Sequence, residues 1–133
     1  MTREWRWIDK RALLMLHDES LAEHGGAGGL RDEALLDSTL ARPLNLAAYG
    51  EADAAAPAAA YGYGLAKNQP FVDGNKRAAL LAAGMFLAMN GLRLRASQAE
   101  ATVAVFTLAA GELDEAGFAA WLRKSSQPRD SAR

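Results

Sequence analysis

From Ala78 to Met89 (AALLAAGMFLAM) every residue is apolar or Gly, and Asn90-Gly91 closes the run. Asn or Gly just past an apolar stretch is a helix stop. A helix apolar on all sides belongs in a protein interior. A membrane span needs roughly 20 such residues, and this run is too short. The chain is therefore expected to fold around a buried central helix over about residues 75–90. Immediately before it lies Asn68-Gln69-Pro70-Phe71-Val72-Asp73-Gly74-Asn75-Lys76-Arg77. This polar stretch reads as a loop, because Pro70 drives Gln69 out of helical backbone.

The charges in the loop are misplaced for an ordinary helix start. A helix N-terminus carries partial positive charge and unpaired N–H groups, so it favours acids and anions. Here Lys76 and Arg77 stand at that end, and they repel it unless an anion sits between them. Gly74 allows close backbone approach. Free N–H groups, a Gly, an Asn and two cations describe a phosphate cradle. Asp73 beside it suits Mg²⁺, which is held by one or two carboxylates together with substrate phosphates. The plainer alternative is a turn with Asp73 as helix N-cap and solvated Lys76 and Arg77. Residue types alone leave both open.

The rest of the chain supplies helices for a bundle. Asp9 is placed to cap a first helix to about Glu23, stopped by Gly25-Gly26. A second is expected from Arg31-Asp32 to about Arg42, ended by Pro43. Turn character follows around Tyr49-Gly50-Glu51, then a third helix to about Lys67 with Pro57 in its first turns. Ser97 with Glu100 forms a capping box for a helix to about Ala110, and Asp114 caps a last one carrying Phe118, Trp121 and Leu122. Trp5 and Trp7 read as a short edge strand or an arm packed on the body. His17 and His24 lack metal-ligand spacing and are expected to be structural or solvated. Arg31 could reach the anion site or lie on the surface.

Half the residues are hydrophobic and the net charge is −1, which argues against a nucleic-acid or anionic-membrane surface. With no Cys, thiol chemistry and Cys-ligated zinc are excluded. The N-terminus has no apolar signal core, so a cytoplasmic protein is expected. The fold class is all-α, about six helices in one domain over residues 1–125, with residues 126–133 a disordered polar tail.

The motif resembles the signature of the Fic/Doc family, His-x-Phe-x-Asp/Glu-Gly-Asn-Gly/Lys-Arg. Phe71, Asp73, Gly74, Asn75, Lys76 and Arg77 match it, and Gln69 stands where the family has its His. The run from Leu16 to Pro43 and the pair Gly111-Glu112 look like the Doc branch, the toxin half of bacterial toxin–antitoxin pairs. That resemblance implies a compact helical bundle in which the motif loop feeds a buried helix. It also implies a kinase that moves the γ-phosphate of ATP to a threonine of the translation factor EF-Tu. Lys76 favours this over AMP transfer, because AMP-transferring Fic proteins usually have Gly there and a second Arg where this chain has Leu80.

By the same resemblance Asp73 would hold Mg²⁺, and Gly74 and Asn75 would contact phosphate through backbone N–H and side-chain amide. Lys76 and Arg77 would neutralise phosphate charge, while Phe71 anchors the loop. The implied partners are EF-Tu and a Phd-like antitoxin with a segment that folds on the groove above the motif. Gln69 occupies the place of the proton acceptor, and an amide is essentially non-basic. It fits a deliberately or selectively disabled toxin, a natural binder without catalysis, or a site where Asn68 or Lys67 does the proton work. An AMP-transferring Fic enzyme and a non-catalytic nucleotide- or partner-binding module are the alternative readings.

Overall fold

The computed structural model describes residues 4–48 and 53–129. The turn expected at Tyr49-Gly50-Glu51 lies outside them, as does the end of the chain from residue 130. Residues 4–9 form an arm, not a strand. Trp5 and Trp7 pack on Phe86 with ring centroids 5.8 and 5.5 Å away. The arm is also pinned through its backbone. Asn90 accepts from the Arg6 N–H (2.9 Å) and donates to the Arg6 carbonyl (3.0 Å), while the Ile8 N–H donates to the Tyr61 hydroxyl (3.1 Å).

Six helices follow among the described residues: α1 (Lys10–His24), α2 (Glu33–Ala48), α3 (Ala55–Asn68), α4 (Asn75–Met89), α5 (Gln98–Ala109) and α6 (Glu115–Ser125). Their starts obey local chemistry. The Asp9 carboxylate accepts from the Ala12 N–H at 2.7 Å, Asp114 does the same for Gly117, and Ser97 with Glu100 closes a full capping box. One boundary departs from expectation, since α2 runs through the buried Pro43 to Ala48. Proline removes the N–H that would bond the Thr39 carbonyl and clashes with that turn. Burial of the ring against the core offsets the local cost.

The helix expected at the centre, α4, buries Ala78, Ala79, Ala82, Ala83, Phe86 and Leu87 but leaves Leu81 37% exposed. It shares the centre with α3, which packs on α2, α4, α5 and α6 and is buried at every residue from Pro57 to Gly62. Small residues permit this crowding. A Cβ on Gly62 would stand 2.7 Å from the Phe118 ring, and one on Gly64 2.7 Å from the Thr39 methyl. No helix among the described residues is long and apolar enough to cross a membrane.

The described residues 126–129 differ from the disordered tail expected after residue 125. Ser126–Pro128 form a strand, β2, antiparallel to β1 (Leu92–Leu94), and the Arg129 N–H continues the ladder to the Gly91 carbonyl at 3.0 Å. A polar segment can be ordered in this way because a strand needs only backbone partners.

The start of α3 is tied to α6 by Asp53, which accepts from the Ala56 N–H at 3.2 Å and from the Arg123 guanidinium. The Arg123 hydrogen bond holds the Asp53 carboxyl below its ordinary range. A depressed folded-state pKa contributes stability above the unfolded pKa, and that contribution is lost as pH falls through the folded value. Asp53→Asn keeps the capping oxygen and removes the charge. Its stability deficit in urea titrations is expected at pH 7 and should close below about pH 4. A deficit that persists unchanged into acid would assign the effect to packing instead.

Candidate functional site

The motif begins where α3 stops. Gln69 caps that helix in the left-handed conformation (φ 49, ψ 60), with its N–H on the Leu65 carbonyl at 3.2 Å. Pro70 and Phe71 are buried, so the chain dips into the core before it turns up into α4. Asn75 closes this dip from the far side. Its side-chain oxygen accepts from the Phe71 N–H and its amide donates to the Phe71 carbonyl, both at 3.0 Å. These two bonds tie the Asn75 side chain to the loop and use one of its two amide N–H donors.

Beneath the loop lies His17 of α1, 2% exposed. Its ring stacks on Phe71 with centroids 3.6 Å apart and planes within 8°. Nε2 is 2.8 Å from the Asp73 carbonyl. A carbonyl only accepts, so Nε2 carries the proton and donates. The structural reading of His17 holds, and the ring supports the motif from below. His24 is exposed beside Glu23, 3.9 Å away.

Asp73 is exposed and reaches sideways. One carboxylate oxygen accepts from the Gly74 N–H (2.8 Å) and the other from the Ala27 N–H (3.3 Å) in the glycine-rich loop after α1. This explains Gly26, at φ 124, where a Cβ would come within 3.0 Å of the Asp73 carboxylate. Each oxygen of an ionised carboxylate has two lone pairs, so one remains on each for a cation. Among the described residues no group of three or more His, Asp or Glu could hold a metal. A cation beside Asp73 would take its other ligands from water or a bound molecule.

Gly74 (φ 77) precedes α4 without a side-chain cap, and the first intrahelical bond runs from the Ala78 N–H to the Gly74 carbonyl at 2.9 Å. The N–H groups of Asn75, Lys76 and Arg77 thus come before the helical ladder begins. No acid lies in this first turn, while Lys76 and Arg77 are both exposed. Lys76 leans toward α5, with its ammonium 5.2 Å from the centroid of the Phe106 ring, itself 55% exposed. A cation over an aromatic face is attracted by the ring quadrupole. Phe106 carried no signal in the sequence, since a lone aromatic on an apolar helix reads as core.

Arg31 was the other residue that sequence left undecided. Its Nε donates to the Gln69 carbonyl and its terminal nitrogen to the Asn68 carbonyl, both at 2.7 Å. Its backbone N–H and that of Asp32 both bond the Pro70 carbonyl, at 2.7 and 3.0 Å. The two neighbours that the sequence offered for proton work each have other surroundings. The Asn68 amide donates to the Thr39 hydroxyl at 3.1 Å, and the Lys67 ammonium lies against Gly111.

The profile of the Fic/DOC family matches residues 7–87. The chain is similar to a protein named protein kinase doc from Escherichia phage P1, 32% identical over 120 residues, spanning 90% of this chain and 94% of that one. It is also similar to a protein named toxin Doc from Mycolicibacterium smegmatis, 46% identical over 76 residues, spanning 54% of this chain and 57% of that one.

Proposed function

The chain belongs to the Fic/Doc family, on its Doc branch, and from that premise we propose that it is the toxin of a bacterial toxin–antitoxin pair. Its chemistry is transfer of the γ-phosphate of ATP to a threonine hydroxyl of EF-Tu, which stops translation in the cytoplasm. The observation that carries this reading is the start of α4. Three successive N–H groups precede the helical ladder there, Lys76 and Arg77 stand exposed in the same turn, and that turn holds no acid. Cations at an uncapped helix start oppose its positive end by about 0.3–1 kcal/mol each, and a bound anion would relieve that opposition.

In this reading the backbone N–H groups of Asn75, Lys76 and Arg77 hold the phosphates, and Gly74 keeps the approach open. Lys76 and Arg77 neutralise the charge that spreads over the transferred group, which is where most catalysis of such transfers lies. Asp73 would hold Mg²⁺, which would supply further charge neutralisation when bound. The Asp73 lone pairs not taken by Gly74 and Ala27 fit it for that part. Residue 69 is the place from which the acceptor hydroxyl loses its proton. With Gln there the chain binds nucleotide and turns over slowly. A Phd-like antitoxin is the partner, with a segment folded on the groove above the motif.

Intact mass of EF-Tu after incubation with ATP, Mg²⁺ and the Gln69→His protein tests the reaction. Gain of one phosphate is expected. Gain of an AMP would keep the enzyme and overturn the role given to Lys76. No gain, with ATP binding retained, would favour a non-catalytic nucleotide-binding module.

A further inference from the structure

Gln69 is the one residue other than Gly with positive φ among the described residues. Left-handed backbone strains any residue with a Cβ, and helix C-caps of this kind normally use Gly, which sits there freely. Pro70 adds a second penalty, because pre-proline residues favour extended backbone. A chain needing only a helix stop at this point would carry Gly. Retaining a side chain in a strained position is worthwhile when its direction matters.

We propose that Arg31 is a positioning residue for the side chain at position 69. Its guanidinium spans two consecutive carbonyls, Asn68 and Gln69, at 2.7 Å each. Those carbonyls lie in the two peptide planes on either side of the Gln69 Cα, whose relative orientation (φ and ψ of residue 69) sets the direction in which that side chain leaves the backbone. The planar fork of Arg is suited to holding two acceptors at once. The backbone N–H groups of Arg31 and Asp32 fix the next carbonyl, Pro70. One short segment thus grips three carbonyls in a row.

The other half of the motif is held separately. Asn75 clamps Phe71, and His17 holds the Asp73 carbonyl; Arg31 bonds neither. Loss of the guanidinium should therefore release residue 69 and leave the anion end of the loop in place. Arg31 itself is exposed, so its truncation does not open the core. The inference rests on the phosphotransfer reading for its functional consequence, though not for its structural content.

Two measurements on Arg31→Ala and Arg31→Lys test it. In the otherwise unaltered chain, a left-handed residue gives a strong amide-to-Hα cross-peak within residue 69 by NMR. That peak is expected to weaken in Arg31→Ala, less so in Arg31→Lys, while the Phe71 and Asn75 amide shifts stay put. Persistence of the full peak in both variants overturns the proposal. In the Gln69→His background, Arg31→Ala should lower kcat about tenfold or more with KM for ATP within about twofold, since small misplacements of a reacting group are costly. Equal loss in both constants, or none in either, also overturns it. Should the Gln69→His protein transfer no phosphate at all, the phosphotransfer reading fails by itself, and the cross-peak still decides the role of Arg31.

Discussion

Replacing Gln69 by His is expected to raise the rate of phosphoryl transfer by about 10²–10⁴-fold, the usual worth of a positioned general base. The size follows from what the present residue cannot do. A Gln amide accepts a hydrogen bond but takes up no proton near neutral pH. The groups nearest in sequence have other neighbours: the Asn68 amide donates to the Thr39 hydroxyl, and the Lys67 ammonium lies beside Gly111. His17 is the nearest imidazole to the motif, but it is 2% exposed beneath the loop and bonded to the Asp73 carbonyl.

Residue 69 touches the anion end of the loop through neither Asn75 nor His17, so ATP affinity should change by less than about twofold while the rate changes. Single-turnover transfer to EF-Tu at saturating ATP, beside calorimetric ATP binding, separates the two. If the unaltered chain already transfers phosphate as fast as the His variant, the proton acceptor lies elsewhere. Position 69 would then lose the role given to it.

How much of this was legible in the sequence depends on how local each determinant is. The caps at Asp9, Ser97 and Asp114 act within three residues of themselves, and all were readable. So was the descent of the motif loop into a buried helix. Pro43 misled because the rule against internal proline weighs the backbone alone, whereas the core against α2 weighs the buried ring. Ser126–Pro128 misled for a related reason. Their polarity signals solvent, but their order comes from the backbone of β1 more than thirty residues earlier in the chain.

Arg31 shows the same limit at the site itself. Its partners stand 38 and 37 residues away, so no window of sequence could separate a clamp from a solvated side chain. The central position of α3 was hidden differently. Alanines carry less apolar weight than the leucines of α4, yet their small size is what lets α2, α4 and α6 close on that helix.

Phe71→Ala should destabilise the fold by about 3–5 kcal/mol, the range for truncating a buried aromatic. The ring is 1% exposed and lies flat on His17 at 3.6 Å, so its removal leaves a cavity and an unstacked buried imidazole. The backbone of Phe71 is gripped independently. Asn75 holds its N–H and carbonyl, and Leu30 pairs with it in an isolated bridge. Those restraints keep the loop from collapsing into the vacated space, which places the cost toward the upper part of the range. Against a total stability of about 5–15 kcal/mol, such a loss brings the domain close to unfolding. Urea titration should show a lowered midpoint with an unchanged slope, the mark of lost stability without a changed unfolded state. ATP affinity measured in the folded population should fall as well, because the Asp73–Arg77 segment is carried by the ring beneath it. A loss under about 1 kcal/mol with nucleotide binding intact would mean that Asn75 and the Leu30 bridge hold the loop by themselves. Phe71 would then be filling space, and the anchoring of the phosphate loop would belong to hydrogen bonds alone.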